Sequence, residues 1–233
     1  MKQVSQSLIK LLQTVDTPTV CNAIEVSQGQ RGFADYTKKT VMISTDKKVA
    51  LVGYATTAKI SGTKPSSDTP EQIKARRMDY YQQIFEAPKP SIVVIEDTDY
   101  PQCVAAFWGE VNASIHRGFG CSGTLTNGVM RDLFDLGDYP VIAGSVGPSH
   151  AFVRVDTLAE KVNVFGLEVS PGDLIHVDRH GAVVIPESVY DSLESSLHSL
   201  IENEKIVINP SKDKDYDFEK FKQSWEEFER VRT

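Results

Sequence analysis

The chain has 233 residues, 40% of them hydrophobic and 24% charged, which suits one substantial folded core of ordinary globular composition. Its formal charge of −7 excludes a general nucleic-acid surface, which needs a basic face, and no run reaches the roughly 20 apolar residues that span a bilayer. The opening MKQVSQSLIKLLQTVD predicts an amphipathic helix instead of a secretory signal, and the widely spaced Cys21, Cys103 and Cys121 predict reduced thiols, so a cytoplasmic location is expected.

Residues 4–14 place Val4, Leu8, Leu11 and Leu12 on one helical face. Thr17-Pro18 then opens a second short helix through Ile24, with Thr17 as N-cap and Pro18 at the first helical position. Residues 40–44 and 49–60 read as two strands joined by the charged turn Thr45-Asp46-Lys47-Lys48. SGTKPSSDTP, residues 61–70, has loop composition and is long enough for a lid, although an idle surface loop has the same composition. Residues 71–87 form a helix with Arg76 and Arg77 on its solvated face, stopped by Pro88 and Pro90. SIVVIED, residues 91–97, is the continuous apolar run of a strand buried on both faces; Glu96 and Asp97 at its end either rim a pocket or stand as a pair in water.

The densest stretch is WGEVNASIHRGFGCSGTLTNGVMRD, residues 108–132. Val111, Ile115 and Phe119 recur at helical spacing, so Gly109 and Glu110 lie at a helix N-terminus, where free amides and the dipole favour an anion. Gly118 and Gly120 break the periodicity, residues 121–126 read as a strand, and Asn127-Gly128 as a turn into Val129-Met130-Arg131-Asp132. Such a path brings Arg131 and Asp132 back towards Glu110. A carboxylate for a hard cation, an arginine for a planar oxyanion and helix-end amides for a carboxylate together suit an α-keto acid; an exposed turn pair and a dipole-stabilising acid have the same residue types.

Residues 139–143 form another short strand, and Val153, Val155, Val162, Val164, Leu167 and Val169 alternate with polar residues as antiparallel strands do. His176, Asp178 and His180 at i, i+2 and i+4 share one side of an extended chain and form a rival metal site, unless the turn Arg179-His180-Gly181 throws His180 off that face. Residues 186–207 are an amphipathic helix, residues 209–216 a polar linker, and residues 218–231 a helix striped by Phe221, Trp225 and Phe228 that docks on the core or on another subunit. The division expected is residues 1–208 as the main domain and 209–233 as linker and terminal helix.

Glu110, twenty intervening residues, then Arg131-Asp132 resembles the acid-x20-Arg-Asp signature of the RraA-like family, which includes divalent-metal 4-hydroxy-4-methyl-2-oxoglutarate aldolases. The N-terminal TPTVCNAIE and the later VSPGDLIHVDRHGAVVIP are also similar to that family, so the resemblance covers roughly residues 15–205. It implies an α/β fold of swivelling β/β/α architecture, helices around a β-rich core, assembled as homotrimers or homohexamers. It further implies retro-aldol cleavage to pyruvate or decarboxylation of oxaloacetate, through an enolate stabilised by Mg2+ or Mn2+. Asp132 would then hold the metal, Arg131 would face the enolate oxygen, Glu110 would orient a proton-shuttling water, and the amides of Gly109, Glu110, Val111 and Asn112 would grip the substrate carboxylate. The acid is Glu110 where the best-described aldolases have Asp, and Asn22 stands where many members carry Asp; the first departure bears on substrate range more than on metal binding. The alternative the resemblance leaves open is a non-catalytic regulator that binds and inhibits a ribonuclease.

Overall fold

A computed structural model describes residues 3–48 and 50–231; Met1 and Lys2 of the expected first helix and Val49 at the expected start of the second strand lie outside the described residues. The first helix, α1 (Gln6–Leu12), is capped by Ser5, whose hydroxyl accepts from the Leu8 amide. Helix α2 (Thr17–Gln28) is capped by Asp16, not Thr17: the Asp16 carboxylate accepts from the Thr19 amide at 3.0 Å, because Thr17 is already committed to a buried contact described below. Gly29 ends α2 in the left-handed region at φ 64°, which only glycine adopts freely.

Strands β1 (Met42–Ile43) and β2 (Leu51–Ser61) follow, then α3 (Pro70–Glu86), which starts in a capping box between Thr69 and Gln72. Next come β3 (Ser91–Asp97), β4 (Ala106–Trp108), α4 (Glu110–Gly118), β5 (Cys121–Thr126) and β6 (Val129–Met130). The chain continues through β7 (Val141–Ala143), β8 (Ser145–Val146), β9 (Arg154–Leu158), β10 (Val162–Val164), β11 (Leu167–Val169), β12 (Leu174–Asp178) and β13 (Gly181–Val184). The helix expected over residues 186–207 is a 3-10 turn, Glu187–Val189, followed by α5 (Leu193–Ile208); the last helix is α6 (Phe218–Val231). No helix among the described residues is long and apolar enough to cross a membrane.

The main sheet runs β1-β7-β5-β3-β2-β12-β13, with β9 on the distal part of β2. Its centre, β7-β5-β3-β2, is parallel, and the flanking pairs are antiparallel. Strands β1 and β2 are therefore not the hairpin the sequence predicts. Both edges of β2 are taken, by β3 on one side and by β12 and β9 on the other, so β1 closes the free edge of β7 in the register Met42↔Ala143 and Ile43↔Ile142.

The strand composition follows from three cores. In β3, Val93 and Ile95 face a core with Tyr80, Ile84, Trp108 and Ala113, under α3 and α4, while Ile92 and Val94 face a second with Leu125, Ile142, Val162 and Val164. A strand covered on both faces has no position for a polar residue, which is why SIVVI does not alternate. The third core packs α1, α2 and α5 on Val52, Tyr54, Leu174 and Val183. Helix α6 lies beyond this, docked on α5, with Phe228 buried and the Asn203 side chain donating to the Val231 carbonyl at 3.0 Å.

Candidate functional site

A second, three-stranded sheet, β4-β6-β8, builds the site. Strands β4 and β6 are parallel, with Ala106↔Val129 and Trp108↔Met130, and the Arg131 amide donates to the Trp108 carbonyl at 2.8 Å. This register carries the chain leaving β6 directly past Gly109, the N-cap of α4. A Cβ at position 109 would lie 2.5 Å from Asp132 Oδ2 and 3.1 Å from Arg131 Nε, so only glycine permits the approach.

Asp132 itself has φ 53°, in the left-handed region that aspartate tolerates better than most residues, and its carbonyl accepts from the Asp135 amide in a tight turn. Strain of this kind, roughly 1–2 kcal/mol, gathers where a side chain must be aimed. Here the carboxylate is aimed at the helix: Asp132 Oδ2 accepts from the Glu110 amide at 3.2 Å and lies 3.6 Å from Arg131 Nε. Its Oδ1 accepts no hydrogen bond among the described residues. Since α4 has no side-chain cap, the amides that follow Glu110 in its first turn remain available to an oxyanion.

A cleft of about 260 Å³ opens at this helix end. Gly109, Val111, Asn112 and Arg131 line it, whereas Glu110 and Asp132 lie outside the lining, joined to it by the bond just described. Val111 is 70% exposed, and the buried face of α4 is Ala113 and His116, so the helix is rotated from the register that Val111, Ile115 and Phe119 predict. The Asn112 side chain is fixed at both ends: Oδ1 accepts from Tyr81 Oη at 2.6 Å and Nδ2 donates to the Phe107 carbonyl at 2.5 Å.

Beneath it, His116 is fully buried, bonded through Nδ1 to the Asn112 carbonyl at 2.6 Å and through Nε2 to Tyr80 Oη at 2.7 Å. Its partners define the tautomer, since a carbonyl can only accept: Nδ1 carries the proton and Tyr80 donates to Nε2. Burial lowers its pKa to about 4, so His116 is a neutral support of the helix end. The cleft also contains Arg77, Tyr81, Phe107 and His150, none of which the sequence marked. The only available signal was Arg77 and Tyr81 at i and i+4 on α3, which share a helix face.

The rival constellation is engaged elsewhere. Both nitrogens of the buried His176 are occupied, Nδ1 by Thr17 Oγ1 at 2.9 Å and Nε2 by the Leu12 carbonyl at 3.0 Å, which leaves no lone pair for a metal. Asp178 accepts from the Thr17 amide at 3.0 Å and from the His180 amide at 2.7 Å across the β12–β13 turn. Burial raises the Asp178 pKa, but these hydrogen bonds together outweigh it and the net shift is downward.

Asp97 is neither on a pocket rim nor in water. It is 1% exposed, and Asn127 clamps its backbone to the end of β5 through bonds of 2.7 and 3.3 Å. Glu96 accepts from the Asn163 amide. Arg76 pairs with Asp68 at 3.0 Å, and the loop before α3 is pinned where Asp99 accepts from the Gly62 and Thr63 amides at 2.8 Å. Burial pushes the Cys21 and Cys103 thiols up to about 11, far from the thiolate a nucleophile needs.

As a cation ligand, Asp132 offers one unengaged carboxylate oxygen next to further oxygen-binding groups. That fits a hard divalent ion which keeps most of its shell as water and substrate. Among the described residues, no group of three or more His, Cys, Asp or Glu is placed to form an all-protein cage.

The chain is similar to known proteins in sequence and in fold. Over 107 residues the chain is 28% identical to Protein DlpA of Legionella pneumophila subsp. pneumophila, a match that covers 44% of this chain and spans only 17% of that protein. An uncharacterized protein from Pseudomonas syringae pv. tomato superposes with a TM-score of 0.71 at 19% identity, over 97% of this chain and 95% of its own. RraAS2 of Streptomyces coelicolor, described as an unusual member of the RNase ES inhibitor RraA protein family, superposes with a TM-score of 0.66 at 17% identity, over 91% of this chain and all of its own. At these identities the likeness shows the fold, a mixed α/β RraA-like architecture. The family described as RraA-like, Aldolase/RraA, matches residues 17–184, which take in the main sheet, the β10-β11 pair, the three-stranded sheet and the whole of the cleft's Gly109–Arg131 wall, and the chain belongs to that family.

Proposed function

We propose that this chain is a divalent-cation-dependent lyase acting on α-keto acids, cleaving substrates of the 4-hydroxy-4-methyl-2-oxoglutarate type to pyruvate or decarboxylating oxaloacetate. The observation that carries this reading is the convergence of Arg131 and Asp132 on the N-terminus of α4, which has no side-chain cap of its own, so close that a side chain on residue 109 would displace the Asp132 carboxylate. Asp132 would hold Mg2+ or Mn2+, which supplies Lewis-acid stabilisation of negative charge on the keto oxygen.

The remaining chemistry belongs to the chain. The first-turn amides of α4 bind the substrate carboxylate and fix its orientation. Glu110, exposed at the mouth, takes the proton of the C4 hydroxyl through a water as the C3–C4 bond breaks. The electron pair passes to the enolate oxygen of pyruvate, beside which Arg131 places a permanent positive charge, and the proton returns to C3. Oxaloacetate would need no proton removed: its C3–C4 bond breaks with CO2 departing, the electron pair passes to the same enolate oxygen, and C3 takes its proton from a water. The two reactions share the enolate, so one site serves both.

The direct test is pyruvate release from either substrate with Mg2+ or Mn2+, abolished by chelator and restored by metal. A folded protein that releases no pyruvate under these conditions refutes the reading. A binding protein that regulates a ribonuclease then takes its place. Leu133, Phe134 and Val146, which are 39%, 101% and 43% exposed, offer apolar surface to a protein partner, either a ribonuclease or another copy of this chain.

A further inference from the structure

The charge of the cleft is opposite to that of the molecule. The chain carries −7 overall, yet the cleft wall holds two guanidinium groups, Arg77 and Arg131, and the imidazole of His150, and no carboxylate side chain. Arg131 adjoins Asp132, as described. Arg77 is different: it is exposed on the cleft side and makes no hydrogen bond or ion pair among the described residues, while the half-buried Arg76 and Arg154 are paired with Asp68 and Asp156.

The position of Arg77 is set by its helix. Tyr81, four residues later on the same face of α3, is fixed by the 2.6 Å bond from its hydroxyl to Asn112, in the first turn of α4. One helical turn, roughly 5.4 Å, therefore separates the anchored Tyr81 from Arg77 along α3. Burial raises the Tyr81 pKa and the charge of Arg77 opposes it, in keeping with their proximity. A keto acid whose C1 carboxylate sits on the α4 amides would extend its far end along this face, within a cleft whose volume of about 260 Å³ lies at the small end of ligand sites.

We propose that Arg77 binds the distal carboxylate of the substrate and makes the cleft selective for α-keto acids with two carboxylates over those with one. This rests on the keto-acid reading above and adds to it the residue that selects the substrate. Arg77 touches no reacting bond; it acts on affinity, through charge-assisted hydrogen bonds from its guanidinium fork to the carboxylate.

The test compares binding of 2-oxoglutarate, a dianion, with that of 2-oxobutyrate, a monoanion with the same keto-carboxylate end, by calorimetry in the presence of Mg2+. Wild-type protein is expected to bind the dianion at least roughly tenfold more tightly. Arg77→Met should abolish that preference without weakening 2-oxobutyrate, and Arg77→Lys should retain part of it. With oxaloacetate, Arg77→Met should raise KM while kcat stays within about threefold, the mark of lost uniform binding. Wild-type protein that binds both acids equally or neither, or an Arg77→Met variant that weakens both alike, overturns the proposal. The binding comparison needs no turnover, so a protein that prefers the dianion yet releases no pyruvate would sustain the Arg77 assignment and refute the lyase.

Discussion

At the scale of single residues, Arg131 and Asp132 are adjacent in sequence but are expected to fail differently. Asp132→Ala removes the carboxylate proposed to hold the cation, so metal affinity should drop and activity should recover only partly at high metal. Arg131→Ala leaves the cation but deletes the charge beside the enolate oxygen, which should lower kcat on the order of 10²-fold with metal affinity almost unchanged. Arg131→Lys should not restore full rate, since an ammonium lacks the planar fork. Calorimetric metal titration alongside steady-state kinetics separates these outcomes, and wild-type turnover in both alanine variants would end the catalytic reading. Gly109→Ala tests the geometry beneath. Its methyl group would stand 2.5 Å from Asp132 Oδ2, so the carboxylate must move. Metal affinity and kcat are both expected to fall by roughly tenfold or more, with little change in the melting temperature because the site is open to solvent. An active variant with normal metal affinity would show that the close approach is incidental.

At the scale of elements, α2 is tied to the β12–β13 hairpin by polar bonds that exclude water. Asp178 is 3% exposed and satisfies the Thr17 amide, one of the free donors of the first turn of α2, while Thr17 Oγ1 bonds His176. Asp178→Ala strands that amide and should cost about 1–3 kcal/mol, read as a lower urea midpoint at unchanged slope. The cleft lies on other elements, so the folded variant should keep its keto-acid affinity. An unchanged urea midpoint would mean that the helix and hairpin are held by apolar packing alone. The same economy of contacts explains the loop before α3: with Asp99 holding its first amides and Asp68 pairing with Arg76, it is a pinned surface loop and not a lid.

At the scale of the whole molecule, one buried carboxyl should leave a mark on the pH dependence of stability. Burial raises the Asp97 pKa to about 6, with the Asp99 and Asp156 charges adding to it against one hydrogen bond from the Asp99 amide. The folded chain therefore holds this proton more tightly than the unfolded chain. Its contribution to stability is fully present below about pH 4 and is lost as the pH rises through about 6, on the order of 2 kcal/mol in total. Asp97→Asn stays neutral and keeps the acceptor for Asp99, so the difference in unfolding free energy between variant and wild type should grow across that window. A constant difference from pH 4 to pH 8 would show that Asp97 is solvated. The second whole-molecule expectation is self-association. Val111, Leu133, Phe134, Val146 and Phe152 leave apolar surface around the site, and the proposed trimer or hexamer would cover it. Sedimentation should show an assembly of three or six copies at micromolar concentration, and a monomer alone would remove that expectation.

Several features needed no tertiary information. A short β-branched apolar run such as SIVVI, set behind Pro88 and Pro90, reads as a strand covered on both faces, and Asn127-Gly128 punctuates β5 and β6 where it stands. The placement of Gly109 and Glu110 at a helix start follows from local periodicity and chain breakers, whereas the return of Arg131 and Asp132 to it is set by the pairing of β4 with β6. Local pattern records which face is buried, but not against what. The sequence neighbours β1 and β2 look like a hairpin, yet pairing was decided by which strand edges remained free, and that depends on strands more than a hundred residues away in the chain. Thr17 has the residue type of an N-cap, but a buried histidine and aspartate brought from β12 claim it, and the cap passes to Asp16. The periodicity of α4 places Val111 inward, whereas packing against Tyr80 and Trp108 turns His116 inward and leaves Val111 on the cleft. Arg77 is solvent-exposed, as its place on the polar face of α3 predicts, but that its exposed face borders the cleft depends on the bond from Tyr81 to Asn112. Residue types and spacings thus determined the chemistry available to this chain. Only the tertiary structure decided which groups share a cleft, because contacts between distant elements depend on register and packing that no local window contains.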